Sequence, residues 1–199
     1  MNNEANNVSE HSDFQWESEQ FADIRILRYR VPGWDKLPLR QKKLAYYLTQ
    51  AGLEGRDIFW DQLYRHNLEI RRALEKIMRN YEPAEEEPSW EDFKVYLKRV
   101  WFSNGIHHHY SHAKIKPAFD RSYLEKLLEA SEASLSEEAL AVLFNDEDAK
   151  GVSKDPDKDL VQASAVNFYG PEVTQQDVED FYGKMAKPDD STPPSYGLN

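Results

Sequence analysis

The chain has 199 residues, with 25 Lys and Arg against 36 Asp and Glu, for a net charge of −11. That balance argues against a nucleic-acid partner, whose phosphates are neutralised by clustered cations. The lack of any Cys excludes disulfides, thiolate metal sites and Cys nucleophiles, and fits a reducing compartment. Aromatic residues make up 13% of the chain, too many for a disordered polypeptide, so most of it is expected to fold. No apolar run reaches the roughly 18 residues a membrane span needs, and the N-terminus MNNEANNV lacks the basic and apolar regions of a signal peptide. A cytoplasmic protein with no membrane partner is the expectation.

Residues 1–20 read as a flexible arm that docks through Phe14 and Trp16. From Phe21 to Val31 short alternation mixes with an apolar run and ends at Pro32-Gly33, so helix and strand readings compete. Leu44, Tyr47, Leu48 and Ala51 recur at helical spacing between Leu39 and Leu53, with Pro38 suited to the first turn. After Gly55 the pattern predicts a longer helix. Its core stripe is Ile58, Leu63, Ile70, Leu74, Ile77, Met78 and Tyr81, with Arg65, Glu69, Arg72, Glu75, Lys76 and Arg79 solvated.

Pro83 and Pro88 bracket an acidic linker, and Ser89-Trp-Glu-Asp92 reads as a capping box. The helix it opens buries Trp90, Phe93, Leu97, Val100 and Trp101 and stops near Asn104-Gly105. Asp120 and Ser136 are expected to cap short helices reaching Leu128 and Phe144, each with acidic residues near the positive end of its dipole. Residues 145–159 read as a solvated loop. Thr174-Gln-Gln-Asp177 is another capping box, followed by Val178, Phe181, Tyr182 and Met185 at helical spacing. The fold class is therefore mainly α, with a short strand near 22–31 or 159–168. The ending Pro188–Asn199 reads like that of a cut chain.

The densest chemical constellation is Trp101-Phe-Ser-Asn-Gly-Ile-His-His-His-Tyr-Ser-His112, which holds four of the six His. On a helix His108 and His112 would share a face, the spacing by which two imidazoles bind one metal. Gly105 breaks that helix and no third ligand is singled out, so adventitious nickel or zinc binding outweighs a physiological site. No His begins a His-Glu-x-x-His motif, and the nucleophile-elbow, P-loop and dinucleotide-binding patterns are absent. Asp57 with Asp61, and Glu85 to Glu87, are read as solvated charge, and Arg25, Arg28 and Arg30 as partners in local ion pairs.

Three segments carry a resemblance. Phe21-Ala-Asp-Ile-Arg-Ile-Leu-Arg-Tyr-Arg-Val-Pro-Gly33, Gly55-Arg-Asp-Ile-Phe-Trp-Asp61 and above all Tyr96-Leu-Lys-Arg-Val-Trp-Phe-Ser-Asn-Gly-Ile-His-His-His-Tyr-Ser111 resemble the N-terminal part of the dipeptidyl peptidase III family, particularly its bacterial branch. The closing stretch from Asp180-Phe-Tyr182 through Ser195-Tyr-Gly-Leu-Asn199 is similar to the same family, so the likeness spans nearly all of 21–199.

The resemblance implies a two-lobed zinc exopeptidase that releases dipeptides from the N-terminus of oligopeptides. Zinc would be held by a His-Glu-x-x-Gly-His or His-Glu-x-x-x-His helix motif and a later Glu, downstream of the matched region. Residues 21–199 would then be a helical, incomplete part of one lobe, with the remaining catalytic lobe of the same polypeptide and an oligopeptide substrate as partners. No zinc, catalytic residue or metal ligand is expected in this chain, which alone should be inactive. The family likeness makes Tyr110 the foremost substrate contact, as an aromatic wall, with His109 and Asn104 behind it. Animal members lack the His triplet, so His107 and His108 receive no role. The bland alternative for Tyr110 is packing in the core. The rivals for the whole chain are a self-standing helical interaction module and a His-run metal-binding protein.

Overall fold

A computed structural model describes residues 14–147 and 150–184. Its first element resolves the competition at 21–31 in favour of a hairpin. Strand β1 (Glu17–Phe21) pairs antiparallel with β2 (Ile24–Leu27), Phe21 opposite Ile24 and Glu17 opposite Leu27, across the tight turn Ala22-Asp23. Ala22 takes φ 46 there. The last residues of the expected arm, Glu17 to Gln20, thus lie in β1, while residues 1–13 fall outside the described residues. Phe14 packs edge-on against Trp16 at 4.7 Å, with the guanidinium groups of Arg28 and Arg30 5.2 and 4.7 Å from its ring. Arg25 makes the expected kind of ion pair, 3.8 Å from Glu17. Lys98 and Arg99 bind Glu19 and Asp23, tying the hairpin to the helices.

Seven α-helices follow among the described residues: α1 (Leu39–Glu54), α2 (Arg56–Leu63), α3 (Asn67–Asn80), α4 (Pro88–Ser103), α5 (Arg121–Ala130), α6 (Glu137–Phe144) and α7 (Gln175–Lys184). The fold is mainly α. No strand forms at 159–168, because the Asp159 carboxylate gathers the N–H groups of Val161, Gln162 and Gln175, each at 2.9 Å. Such local side-chain bonding competes with a ladder and favours turns. No helix among the described residues is long and apolar enough to cross a membrane.

The helix expected to run from Ile58 to Tyr81 is two helices. Tyr64 breaks it with extended backbone (φ −169, ψ 135) that sends its ring fully into the core. The break changes the phase of the stripe, so α2 buries Trp60 and leaves Ile58 exposed, while Met78 on α3 is also exposed. The core lies between α3, α4, α5 and α6, where Ile70, Leu74, Ile77, Phe93, Leu97, Val100, Leu124, Leu127 and Leu143 are buried. Phe119 sits at its aromatic end, against Phe93, Tyr96, Tyr123 and Phe144 at 5.7–6.4 Å. Trp101 turns out of this core: it is 41% exposed and its indole N–H donates to Glu75 at 3.2 Å.

Caps follow the sequence unevenly. Thr174 and Asp177 form the reciprocal box, Thr174 N–H to Asp177 Oδ2 at 2.9 Å and Asp177 N–H to Thr174 Oγ1 at 3.2 Å. Met185, assigned to the same helix, lies outside the described residues. Ser136 Oγ accepts from Ala139 N–H at 3.2 Å and donates to Glu69 at 3.0 Å. Ser136→Ala is therefore expected to cost about 1–2 kcal/mol in a urea unfolding experiment. Asp120 occupies its cap position without a side-chain cap bond, and α5 has no acidic residue in its first turn. The box at Ser89 does not form: α4 opens two residues earlier than that cap implies, at Pro88 with Glu87 in the cap position, and the fixed φ of proline suits a first helical position.

The acidic linker carries a further correction. Glu87 is not solvated charge but only 12% exposed. It accepts from the Tyr81 and Tyr123 hydroxyls at 2.9 and 3.0 Å, from Lys126 Nζ at 2.9 Å and from the Ala84 N–H at 3.2 Å. Asp57 stays solvated, 52% exposed, while pairing with Arg71 at 2.7 Å.

Candidate functional site

The segment from Asn104 to Ile115 leaves α4 through a left-handed residue, Asn104 (φ 54), followed by Gly105 at φ 154. The Gly105 N–H returns to the Val100 carbonyl at 3.0 Å, which closes the helix end. Beneath the loop lies Asn67, whose side chain is almost wholly buried. Its amide donates to the Trp60 carbonyl at 3.1 Å and to the Asn104 carbonyl at 3.5 Å, while its oxygen accepts from Ile106 N–H at 3.1 Å. A Cβ on residue 105 would lie 2.2 Å from Asn67 Nδ2, so this crossing requires glycine.

Beyond Ile106 the chain pairs with its own return. Ile115 N–H donates to the Ile106 carbonyl at 2.7 Å, His108 N–H donates to Ala113 at 2.8 Å, and His107 faces Lys114 in an antiparallel bridge. The His108 and His112 side chains therefore do not share a helical face. His108 Nδ1 instead accepts from the Tyr110 and Ser111 N–H groups at 3.2 Å each, which requires that nitrogen unprotonated and fixes the turn. His107 is buried with its ring edge-on to Tyr64 at 5.2 Å. Gly151 braces the other side, donating to the His112 carbonyl at 2.7 Å and accepting from Val166 N–H at 3.1 Å. A pocket of about 90 Å³ lies between these segments, lined by Asn67, Ser103, His107, His112 and Gly151.

A second anchor is Lys114. Its ammonium donates to the carbonyls of Val142, Asn145 and Glu147 at 2.9, 2.7 and 2.6 Å, and to Asn145 Oδ1 at 3.0 Å. A cation there also complements the negative end of α6.

On this braced loop the three expected substrate contacts are all at the surface. Tyr110 is 82% exposed, so in this structure it does not pack in the core. Asn104 and His109 are exposed as well. The His109 ring lies 4.3 Å from Tyr110, 4.6 Å from His108 and 5.1 Å from Phe102, giving a continuous outward shelf of rings. Asn104 serves the backbone turn, and the aromatic residue it adjoins through α4, Phe102, was not singled out by the sequence. Asn67, Lys114 and Gly151 were also missed. Each has at least one partner 28 or more positions away, with no local pattern to mark it.

Glu75 shows how the adjoining α3–α4 seam is charged. Burial opposes its ionised form, but Arg71 at 2.8 Å, the Trp101 indole and Arg79 hold its pKa below the ordinary value. Among the described residues no group of three or more His, Asp or Glu side chains is placed to hold a metal ion. The loop can offer a flat aromatic wall, imidazole nitrogens and hydrogen-bonding backbone. No protein-family model matches the chain, and no curated protein matches it either.

Proposed function

We propose that this chain is the substrate-cleft-lining, N-terminal part of a zinc-dependent dipeptidyl peptidase that acts on oligopeptides in the cytoplasm. The reading rests on the resemblance of residues 21–199 to the dipeptidyl peptidase III family. The observation that supports it is the shelf formed by Tyr110, His109 and Phe102, exposed and yet rigidly braced from below. A wall for a peptide must be accessible to touch the substrate and fixed to orient it. Zinc, held by the remaining catalytic lobe, would supply an activated water. The residues of this chain would bind and align the peptide. A self-standing interaction module is the second reading, favoured by the many apolar side chains that α1 leaves exposed.

The test is dipeptide release from a dipeptidyl arylamide. The 199-residue chain is expected to show no turnover even with added zinc. The longer polypeptide of the same reading frame is expected to turn over, to stop on chelation, and to show KM raised about tenfold by Tyr110→Ala, since one aromatic contact contributes about 0.5–1.5 kcal/mol beyond its area. A frame that ends at Asn199, or an unchanged KM, overturns the reading.

A further inference from the structure

We propose that Ser134 is a phosphorylation site and that the cleft beside it, walled by cations of the α3 segment, receives the phosphate. Between α5 and α6, residues 131–136 run as a strap without regular secondary structure. The strap lies antiparallel to α3. Asn80 Nδ2 donates to the Ser131 carbonyl at 3.2 Å and Lys76 Nζ to the Glu132 carbonyl, while at the other end the Glu69 carboxylate accepts from the N–H and hydroxyl of Ser136. Residue 134 is midway between 132 and 136, and the midpoint of 69 and 76 falls at Arg72 and Ala73, so the register brings Ser134 opposite Arg72. Ala133 and Leu135 pack on the core, and the two-residue period of an extended segment then turns Ser134 outward. It is exposed, and it lines a cleft of about 460 Å³ with Arg65, Glu69, Arg72 and Lys76.

Arg65, Arg72 and Lys76 against Glu69 leave a net +2 in the cleft lining, on a chain whose total is −11. A phosphoserine at neutral pH carries about −1.5 to −2 and presents three acceptor oxygens, which suits guanidinium and ammonium donors. Arg72 is available to it. Its side chain is 71% exposed and reaches Asp57 only at 3.9 Å, while Arg71 holds that carboxylate at 2.7 Å. Two neighbouring carboxylates are already engaged, Glu69 by Ser136 and Glu137 by Arg121 at 2.7 Å. Glu137 and Glu138, three and four positions beyond Ser134, supply the acidic pattern selected by protein kinases that read carboxylates downstream of the acceptor. With ATP as donor, the Ser134 Oγ–P bond forms as the bond from the γ-phosphorus to the β–γ bridging oxygen breaks. ADP leaves, and the hydroxyl proton passes to the base of the kinase. The phosphate then ties the strap to α3 through charge-assisted hydrogen bonds.

The test uses an acid-directed Ser/Thr kinase chosen because it phosphorylates the free peptide 128–140. Given ATP, it is expected to place one phosphate on Ser134 of the folded 199-residue chain, mapped by mass spectrometry, and none on Ser134→Ala. Ser89 has Asp92 at the same spacing but sits in the first turn of α4, so it is the internal control and is expected to stay unmodified. The phosphorus NMR resonance of the modified chain is expected to titrate at a pH lower by about 0.5 or more than in the phosphopeptide, because adjacent cations favour the dianion. The urea midpoint is expected to rise above that of the unmodified chain. Arg72→Gln, at an exposed position, is expected to remove most of both changes. A folded chain left unmodified at Ser134, or modified at Ser89 or Ser136 in its place, overturns the proposal. So does a phosphate on Ser134 that titrates as in the peptide and is indifferent to Arg72→Gln.

Discussion

Gly105→Ala is expected to lower the unfolding free energy by about 3 kcal/mol or more, measured by urea denaturation. Two costs combine. At φ 154 an L-residue is strained by about 1–3 kcal/mol. The new Cβ would also fall 2.2 Å from Asn67 Nδ2 and 2.7 Å from its Cγ, displacing the buried amide that serves Trp60, Asn104 and Ile106. Each buried backbone group left without its partner costs about 1–3 kcal/mol. Gly33→Ala is the internal control. It shares a positive φ of 83 but has nothing within 4 Å of the added Cβ, so it should cost strain alone. Asn67→Leu should reproduce most of the Gly105→Ala loss without touching the backbone preference. If Gly105→Ala behaves like Gly33→Ala, the clamp between α3 and the His loop contributes nothing and the rigidity claimed for the Tyr110 shelf fails with it.

That clamp also shows where the sequence stops being legible. The helices of the core are visible in their apolar period, and Ser136 and Thr174 announce their caps because the chemistry of a cap is complete within four residues. The break at Tyr64 is not announced by Gly or Pro. It arises because a fully buried ring and the Asn67 side chain are better satisfied by one extended residue than by a continuous helix, and both partners lie elsewhere in the chain. The same holds at α4, where Ser89 has the look of a cap but Pro88 takes the first turn and Glu87 is drawn to residues 36 and 39 positions away. For the candidate site, Tyr110, His109 and Asn104 were named through resemblance. Their exposure is a structural fact that no spacing encodes. Lys114 and Asn67, which hold the loop, are single polar residues in unremarkable surroundings, and only the tertiary fold gives them carbonyls to bind.

Glu87 offers the second large effect, with a sign fixed by its surroundings. The Lys126 ammonium foremost, working against desolvation, and then the hydroxyls of Tyr81 and Tyr123 and the Ala84 N–H hold its carboxyl down from 4.5 to about 2. A carboxyl depressed in the folded state stabilises wherever the unfolded chain is already ionised, and that stabilisation disappears as pH falls through the folded value. The contribution is therefore complete above about pH 4.5, declines below it, and is gone near pH 2. Glu87→Gln keeps the shape but removes the charge that Lys126 and the two phenols address, and should cost about 2–3 kcal/mol at pH 7, in the range of hydrogen bonds to charged groups. Other carboxylates that titrate in the same window, Glu75, Asp159 and Asp177 among them, act on both proteins and cancel in the difference. The quantity to measure is thus the gap between wild type and Glu87→Gln in urea midpoints at a series of pH values. It should be widest at neutral pH and narrow steadily from 4.5 toward 2, because a neutral carboxyl and a neutral amide fill the same space at the junction of α3, α4 and α5; a gap independent of pH would mean that the charge of Glu87 is not what stabilises the fold.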